Sequence, residues 1–152
     1  QFHAGEAFNI IPDEIILRGT CRVLDPQIQE TLPERLERIV DGVASTFGAK
    51  AELVYHKGYP ATVNSEQASE FCAEVAKEIA GSNEAVDLKP APSMGAEDFS
   101  YMLQKKPGCY IWTGNGDTAG LHHPEYDFND ETIAVGASYW ARLVEKRLPK
   151  SP

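Results

Sequence analysis

Two adjacent histidines, His122 and His123, are the side chains in this sequence best suited to chemistry near neutral pH. Imidazole is the commonest metal ligand among protein side chains, and it also serves as a general base. Pro124 follows the pair, fixes its own backbone and favours an extended conformation at His123. Because neighbours in an extended segment point to opposite sides, one ring can face a site while the other packs or faces solvent. A histidine pair alone fits a packed or solvated loop equally well, so the rest of the chain has to decide.

The composition predicts an acidic protein of one or two compact units. The chain has 152 residues, of which 42% are hydrophobic, and a net charge of −9. This charge argues against nucleic acid as a partner, because phosphates require a basic surface. No apolar run approaches the roughly 20 residues that cross a bilayer, and the first residues lack the pattern of a signal peptide. We therefore expect no nucleic-acid partner, no membrane partner and a cytoplasmic location.

The three cysteines are Cys21, Cys72 and Cys109, an odd and scattered set. Their spacing fits neither a disulfide framework nor a zinc site built from thiolates. Cys72 lies on the apolar stripe of a predicted helix. We expect free thiols, with Cys72 in the core.

The first third of the chain reads as strand, strand, helix, strand. Extended segments rich in β-branched residues predict the strands at residues 7–11, 14–24 and 51–55. Asp25 is a suitable N-cap with proline after it, and Gly48 is a suitable residue to end the helix. Pro33 implies either a kink or a helix that begins near Thr31. These elements predict a small sheet with a helix on one face.

The remainder reads as helices around one further strand. A helix capped by Asn64 ends at Gly81, and a strand is expected at 108–113. A short helix at 96–103 would place its N-terminal N–H groups at Gly95, where they can hold an anion. The last helix starts near Asp130 and carries the apolar residues Ile133, Ala137, Trp140, Val144 and Leu148.

Five segments occur in an order that resembles one family. They are Phe8–Asp13, Leu17–Arg22, Gly58–Asn64, Met94–Ser100 and Leu121–Asp130. Together they resemble the C-terminal half of the M20 metallopeptidase/amidohydrolase family, in the branch of hippurate hydrolases and N-acyl-amino-acid amidohydrolases. The resemblance extends over essentially the whole chain.

The resemblance implies a chain of mixed α/β and α+β class. Residues 1–58 would be the tail of an α+β dimerisation (lid) domain. Residues 59–152 would be the C-terminal part of an α/β zinc-peptidase-like catalytic domain. It also implies a homodimer or homo-oligomer formed through the lid domain.

The resemblance further implies which residues act. His122 matches the last metal ligand of the family, whereas His123 stands where the family has a small residue, which leaves a choice between the two rings. The side chains of Asn9 and Arg22 would bind substrate, and so would the loop that contains Gly95 and Glu97. The alternative for Glu97 is a carboxylate that stabilises the start of the short helix. Full-length members hold two divalent ions (Zn, Mn, Co or Ni), but their other ligands and the general-base glutamate lie in the N-terminal half. We therefore expect no tightly bound metal in this segment alone.

Three functions follow for comparison. The first is a metal-dependent amidohydrolase that cleaves N-acyl or N-aroyl amino acids into a carboxylic acid and an amino acid. The second is a catalytically inactive fragment or dimerisation module that lacks the metal site. The third, which has the least support, is a metal-free binding protein for small carboxylates. The histidine, arginine and asparagine favour the first, and the missing ligands favour the second.

Overall fold

The computed structural model describes residues 1–148 of the chain. The chain forms two compact units, Gln1–His56 and Lys57–Pro152. The elements in order are β1 (Phe2–His3), β2 (Ile16–Leu17), α1 (Pro26–Thr46), α2 (Glu66–Ala80), α3 (Phe99–Leu103) and α4 (Glu131–Arg147). The predicted mixture of helices and strands is present, with far less strand than expected. The assignment of the units to a lid and a catalytic domain stays a prediction.

The first unit is dominated by the long helix α1. Its N-terminus is capped as predicted, because an Asp25 carboxylate oxygen accepts the Gln27 N–H at 2.7 Å. The helix runs through Pro33 without ending, so a start near Thr31 is wrong. At the other end Gly48 has a φ of +67°, and the Ala49 N–H reaches the Ala44 carbonyl at 2.9 Å. This is the arrangement that glycine favours at a helix C-terminus.

Most of the predicted strands do not form in the structure. The expected strand 14–24 is reduced to β2, which pairs antiparallel with β1 in the register Phe2 to Leu17 and His3 to Ile16. Residues 7–10 form a turn instead, closed by the Ile10 N–H and the Ala7 carbonyl at 3.3 Å. Within residues 1–148, the segments 51–55 and 108–113 belong to no ladder. A strand needs a hydrogen-bonded neighbour as well as β-branched residues, and sequence pattern reports only the second.

The second unit is built on the packing of α2 against α4. The buried core consists of Cys72, Val75 and Tyr139, which confirms the predicted place of Cys72. Burial raises the pKa of the Cys109 thiol, which packs at the edge of this core. Gly81 ends α2 with a φ of +66°, as its sequence position predicts.

The apolar stripe that the sequence shows on α4 is exposed. The residues that pack on α2 are Tyr139 and Leu143, each one position before a residue of that stripe. Trp140 is 62% exposed and Ile133 is 58% exposed, although both are large apolar side chains. An amphipathic helix gains stability by burying such a stripe, so the outer face of α4 is suited to a further layer of protein.

The predicted cap of α2 is shifted by one residue. Ser65 is the N-cap, and its hydroxyl accepts the Ala68 N–H at 3.4 Å. The Asn64 carboxamide instead accepts the Tyr110 N–H and donates to the Tyr110 carbonyl, both at 2.8 Å. Asn64 thus gives Tyr110 the two hydrogen bonds that a neighbouring strand would give. It fixes the extended segment 108–113 beside the start of α2.

Helices in the described part of the chain are too short or too polar to cross a bilayer.

Candidate metal-binding loop

The loop 116–128 carries both histidines and is tied at its base. We call it the His122 loop. On one side of the base stands Asn115, whose carboxamide donates to the Asp127 carbonyl at 2.7 Å and accepts the Asn129 N–H at 2.8 Å. A compact loop whose two ends are joined in this way is a common carrier of functional side chains.

His122 lies in a pair of consecutive turns inside this loop. The first turn is closed by the His123 N–H and the Gly120 carbonyl at 3.1 Å, and the second by the Tyr126 N–H and the His123 carbonyl at 3.0 Å. Pro124 is the second residue of the second turn, a position that its fixed φ suits. His123 ends the first turn and begins the second, so the two histidines do not form one continuous extended segment.

His122 has a φ of +68°, the sole positive φ of a non-glycine residue between positions 1 and 148. This left-handed conformation costs an L-residue on the order of 1 kcal/mol and persists where surrounding contacts hold it. The side chain is exposed to solvent. The ring of His122 is thus presented at the surface by a strained but anchored turn.

His123 uses its ring differently. Its Nδ1 atom accepts the backbone N–H of Glu125 at 3.1 Å. A neutral imidazole has one nitrogen with a free lone pair and one that carries hydrogen. When Nδ1 accepts, Nε2 carries the hydrogen and offers no lone pair to a metal. This geometry favours His122 over His123 as the ligand.

The described residues do not form a metal site by themselves. Nowhere in residues 1–148 do three or more His, Cys, Asp or Glu side chains cluster in a way that could hold an ion. An exposed imidazole fits one position of a shared centre, because Zn, Mn, Co and Ni all accept imidazole nitrogen together with carboxylate oxygen. One exposed imidazole therefore fits the contribution of one ligand to such a centre.

The loop around Gly95 does not have the expected helix N-terminus. The helix α3 begins at Phe99 and has five residues, so the predicted start near Gly95 is wrong. The Gly95 N–H donates to the Ser93 hydroxyl at 3.1 Å. In this state that N–H is used within its own loop, and the substrate contact expected from Gly95 stays a prediction.

Glu97 holds together two parts of the second unit. One carboxylate oxygen accepts the Phe99 N–H at 3.2 Å, and the other accepts the Tyr110 hydroxyl at 3.0 Å. The Phe99 N–H, followed by the Tyr110 hydroxyl, lowers the pKa of the Glu97 carboxyl below its ordinary value. The bond to the carboxylate also raises the pKa of Tyr110. Both oxygens therefore have structural partners, while a role of Glu97 in substrate binding stays a prediction.

The two predicted substrate residues of the first unit are Asn9 and Arg22. Both are exposed, and Asn9 stands in the turn at residues 7–10. Arg22 follows β2 and precedes the Asp25 cap of α1. Their roles stay predictions.

Sequence reasoning missed Asn115 and Tyr110, which anchor the segments beside the histidines. Asn115 belongs to an Asn-Gly pair, which signals a turn but gives no indication of a distant hydrogen-bond partner. The sequence predicts a strand at Tyr110, whereas its hydroxyl bonds to Glu97, 13 positions away in the chain. Contacts at such distances follow from the fold and are invisible in a local pattern.

The model of peptidase family M20/M25/M40 matches residues 5–146. The chain belongs to this family. His122 and the His122 loop lie within the residues that match the family model.

Similar proteins include a hydrolase and two deacetylases. The chain is 34% identical over 147 residues to a hippurate hydrolase of Campylobacter jejuni, covering 97% of this chain and 38% of the relative. It is 33% identical to an N-acetyldiaminopimelate deacetylase of Streptococcus thermophilus, covering 91% of this chain and 36% of the relative. It is 29% identical to an N-acetylcysteine deacetylase of Bacillus subtilis, covering 94% and 37% respectively.

A solved structure extends the likeness to the fold. A dinuclear metal binding peptidase of the M20 family from Bacillus subtilis matches with a TM-score of 0.76 and 29% identity. The match covers 99% of this chain and 41% of that protein. The chain thus spans well under half the length of the proteins that it matches.

Proposed function

We propose that this chain is the C-terminal part of a metal-dependent amidohydrolase that cleaves N-acyl or N-aroyl amino acids. The products are a carboxylic acid and an amino acid. The observation that carries the proposal is the His122 ring, which is exposed on an anchored loop of an M20 domain. The hippurate hydrolase and the two deacetylases named above share an N-acylated amino acid in their names, which supports this substrate class.

In this proposal His122 supplies one ligand of a centre that holds two divalent ions. The dinuclear metal binding relative supports the number of ions. Zn, Mn, Co and Ni all fit an imidazole nitrogen beside carboxylates. When bound, such ions polarise an amide carbonyl and lower the pKa of water. The remaining ligands and the general base would come from the part of the relatives that this chain does not match.

The substrate would be held by residues of the first unit. The Arg22 guanidinium is a planar donor that matches an amino-acid carboxylate with two parallel hydrogen bonds. Asn9 is a neutral donor, suited to the oxygen on which negative charge develops. In the second unit, the Gly95 backbone and Glu97 would also contact substrate. The protein would work as a cytoplasmic homodimer or homo-oligomer, assembled through the lid domain.

A second candidate is that the chain by itself is an inactive module. The lack of a metal-ligand cluster within residues 1–148 favours this reading, and so does the exposed stripe on α4. The two candidates are compatible if activity requires the longer protein.

The test measures turnover of one panel of substrates by the complete protein and by the 152-residue chain. The panel contains hippurate, N-acetyl amino acids and a dipeptide with a free amino terminus. The proposal expects hydrolysis of the acylated substrates by the complete protein, loss of activity with a chelator, recovery with added metal, and no turnover by the chain alone. Preference for the free dipeptide, or activity that survives removal of metal, would contradict it.

A further inference from the structure

The base of the His122 loop depends on one side chain. The Asn115 carboxamide bonds to Asp127 and Asn129, which lie 12 and 14 positions along the chain. It uses its donor and its acceptor at once, as a strand residue does with a partner strand. The side chain is half-buried, so water competes less well for these bonds than at the open surface.

The bonds of Asn115 connect the loop to the core. Asn129 stands one residue before Asp130, the N-cap of α4, and is bonded to the first turn of that helix. Its side-chain oxygen accepts the Glu131 N–H at 3.0 Å, and its carbonyl accepts the Thr132 hydroxyl at 2.7 Å. Tyr139, farther along the same helix, is 5% exposed in the core. The loop base is therefore bonded, through Asn129, to a helix that contributes Tyr139 to the core.

The loop needs such a base because His122 is strained. A positive φ at a histidine relaxes unless neighbouring contacts hold it. The turn that contains His122 is closed by one backbone hydrogen bond, and the next turn by one backbone bond and the His123 ring. The ends of the loop must remain together for both turns to keep their geometry. Joining the ends also removes the loop-closure entropy that would otherwise favour open forms.

We propose that Asn115 is a positioning residue for His122. It holds the ends of the His122 loop so that the strained turn presents the imidazole in one orientation to the metal centre. This inference rests on the proposed function, since it assigns a task to the base of the loop only if His122 is a ligand.

The first test is amide exchange, followed by NMR, in the 152-residue chain. Asn115→Ala should raise the exchange rates of the His123 and Tyr126 N–H groups about tenfold, since two hydrogen bonds at the loop base are lost. Asn64→Ala is the matched control, because Asn64 makes the same pair of bonds to Tyr110 away from the loop. Unchanged exchange at His123 and Tyr126 in Asn115→Ala, or an equal rise in Asn64→Ala, would overturn the inference.

The second test is metal affinity in the complete protein, measured by competition with a chelator. Asn115→Ala should weaken binding about 10–100-fold, the usual effect of losing a group that orients a ligand. Asn115→Asp keeps the acceptor but loses the donor, so its loss should be smaller. If Asn115→Ala does not fold, Asn115→Asp replaces it in this test. Metal affinity of Asn115→Asp equal to that of wild type would then overturn the inference.

The His122→Ala variant separates this inference from the proposed function. If His122→Ala binds metal as wild type does, the proposed function fails. If His122→Ala loses metal and Asn115→Ala retains wild-type affinity, the assignment of Asn115 fails while the proposed function stands.

Discussion

The Nδ1 atom of His123 accepts the backbone N–H of Glu125 at 3.1 Å, so the two adjacent histidines of this chain have different tasks. The His123 ring stabilises the turn that carries Pro124, whereas the His122 ring is presented to solvent at a φ of +68°. The two rings differ chemically because the Nδ1 lone pair of His123 accepts a hydrogen bond within its own loop.

The first prediction concerns replacement of His123. Asparagine can offer its side-chain oxygen in place of Nδ1, so His123→Asn should keep the hydrogen bond to Glu125. We expect the complete protein with this change to retain its full metal content, measured by mass spectrometry of the metals, and at least about half of its turnover. A loss of one ion per subunit in His123→Asn would show that His123 is a ligand.

The second prediction concerns acid stability. The pKa of Glu97 is lowered by its bonds to Phe99 and Tyr110, so its ionised form is more stable in the folded state than in the unfolded state. This contribution is present above the ordinary carboxyl pKa and disappears as the pH falls through the lowered value. We expect wild type to be more stable than Glu97→Gln at pH 7, with a gap that narrows from about pH 5 downward.

Urea unfolding at several pH values measures this gap. Tyr110→Phe is the matched variant, because it removes one donor to Glu97 and leaves the Phe99 N–H in place. It should show a weaker dependence on pH than wild type over the acidic range. A gap between wild type and Glu97→Gln that stays constant from pH 7 to pH 3 would contradict the assigned cause.

The third prediction concerns the outer face of α4. Trp140 is 62% exposed in this chain, so Trp140→Ala in the 152-residue chain should change the free energy of unfolding by no more than about 0.5 kcal/mol. In the complete protein we expect this stripe to be covered, and the same change should cost roughly 3–5 kcal/mol. Tyr139→Ala is the control, since Tyr139 is buried already and should destabilise both forms. Equal, small effects of Trp140→Ala in both forms would show that the face stays open.

The fourth prediction concerns the carboxylate of the substrate. In the complete protein, Arg22→Ala should raise KM for N-acyl amino acids about 10–100-fold, the loss expected for a charge-assisted hydrogen-bond pair. KM for anilides without that carboxylate should hardly change. Arg22→Lys should recover the interaction in part, because lysine keeps the charge but cannot form two parallel bonds. Equal effects on both substrate types would remove Arg22 from this role.

Helices were predictable from the sequence because their signals are local. Asp25 caps α1, Gly81 ends α2, and the stripe around Cys72 faces the core, all as the spacing of residue types predicts. The strands were poorly predicted, because a ladder depends on a neighbouring segment that local pattern cannot supply. Asn64 illustrates the point, since its sequence position suits a helix cap while its carboxamide bonds to Tyr110.

The site was predictable in part, for the same reason. The family resemblance drew attention to His122, and the family match over residues 5–146 supports the comparison. The hydrogen bonds of Asn115 were not predictable, because they join residues 12 and 14 positions apart. The positive φ of His122 was not predictable either, because histidine has no side-chain signal for that conformation. Asn-Gly at 115–116 predicts a turn but does not identify the partner of the asparagine.

The central claim is that His122 completes a metal centre whose other ligands lie outside this chain. Its most direct test is the number of divalent ions bound per subunit by the complete protein, by its His122→Ala variant and by the 152-residue chain. We expect the complete protein to bind about two ions per subunit, and its His122→Ala variant to lose at least one of them. We expect the 152-residue chain to bind none tightly, because a single imidazole cannot hold an ion alone. Full metal content in His122→Ala, or a tight dinuclear site in the 152-residue chain, would contradict the account.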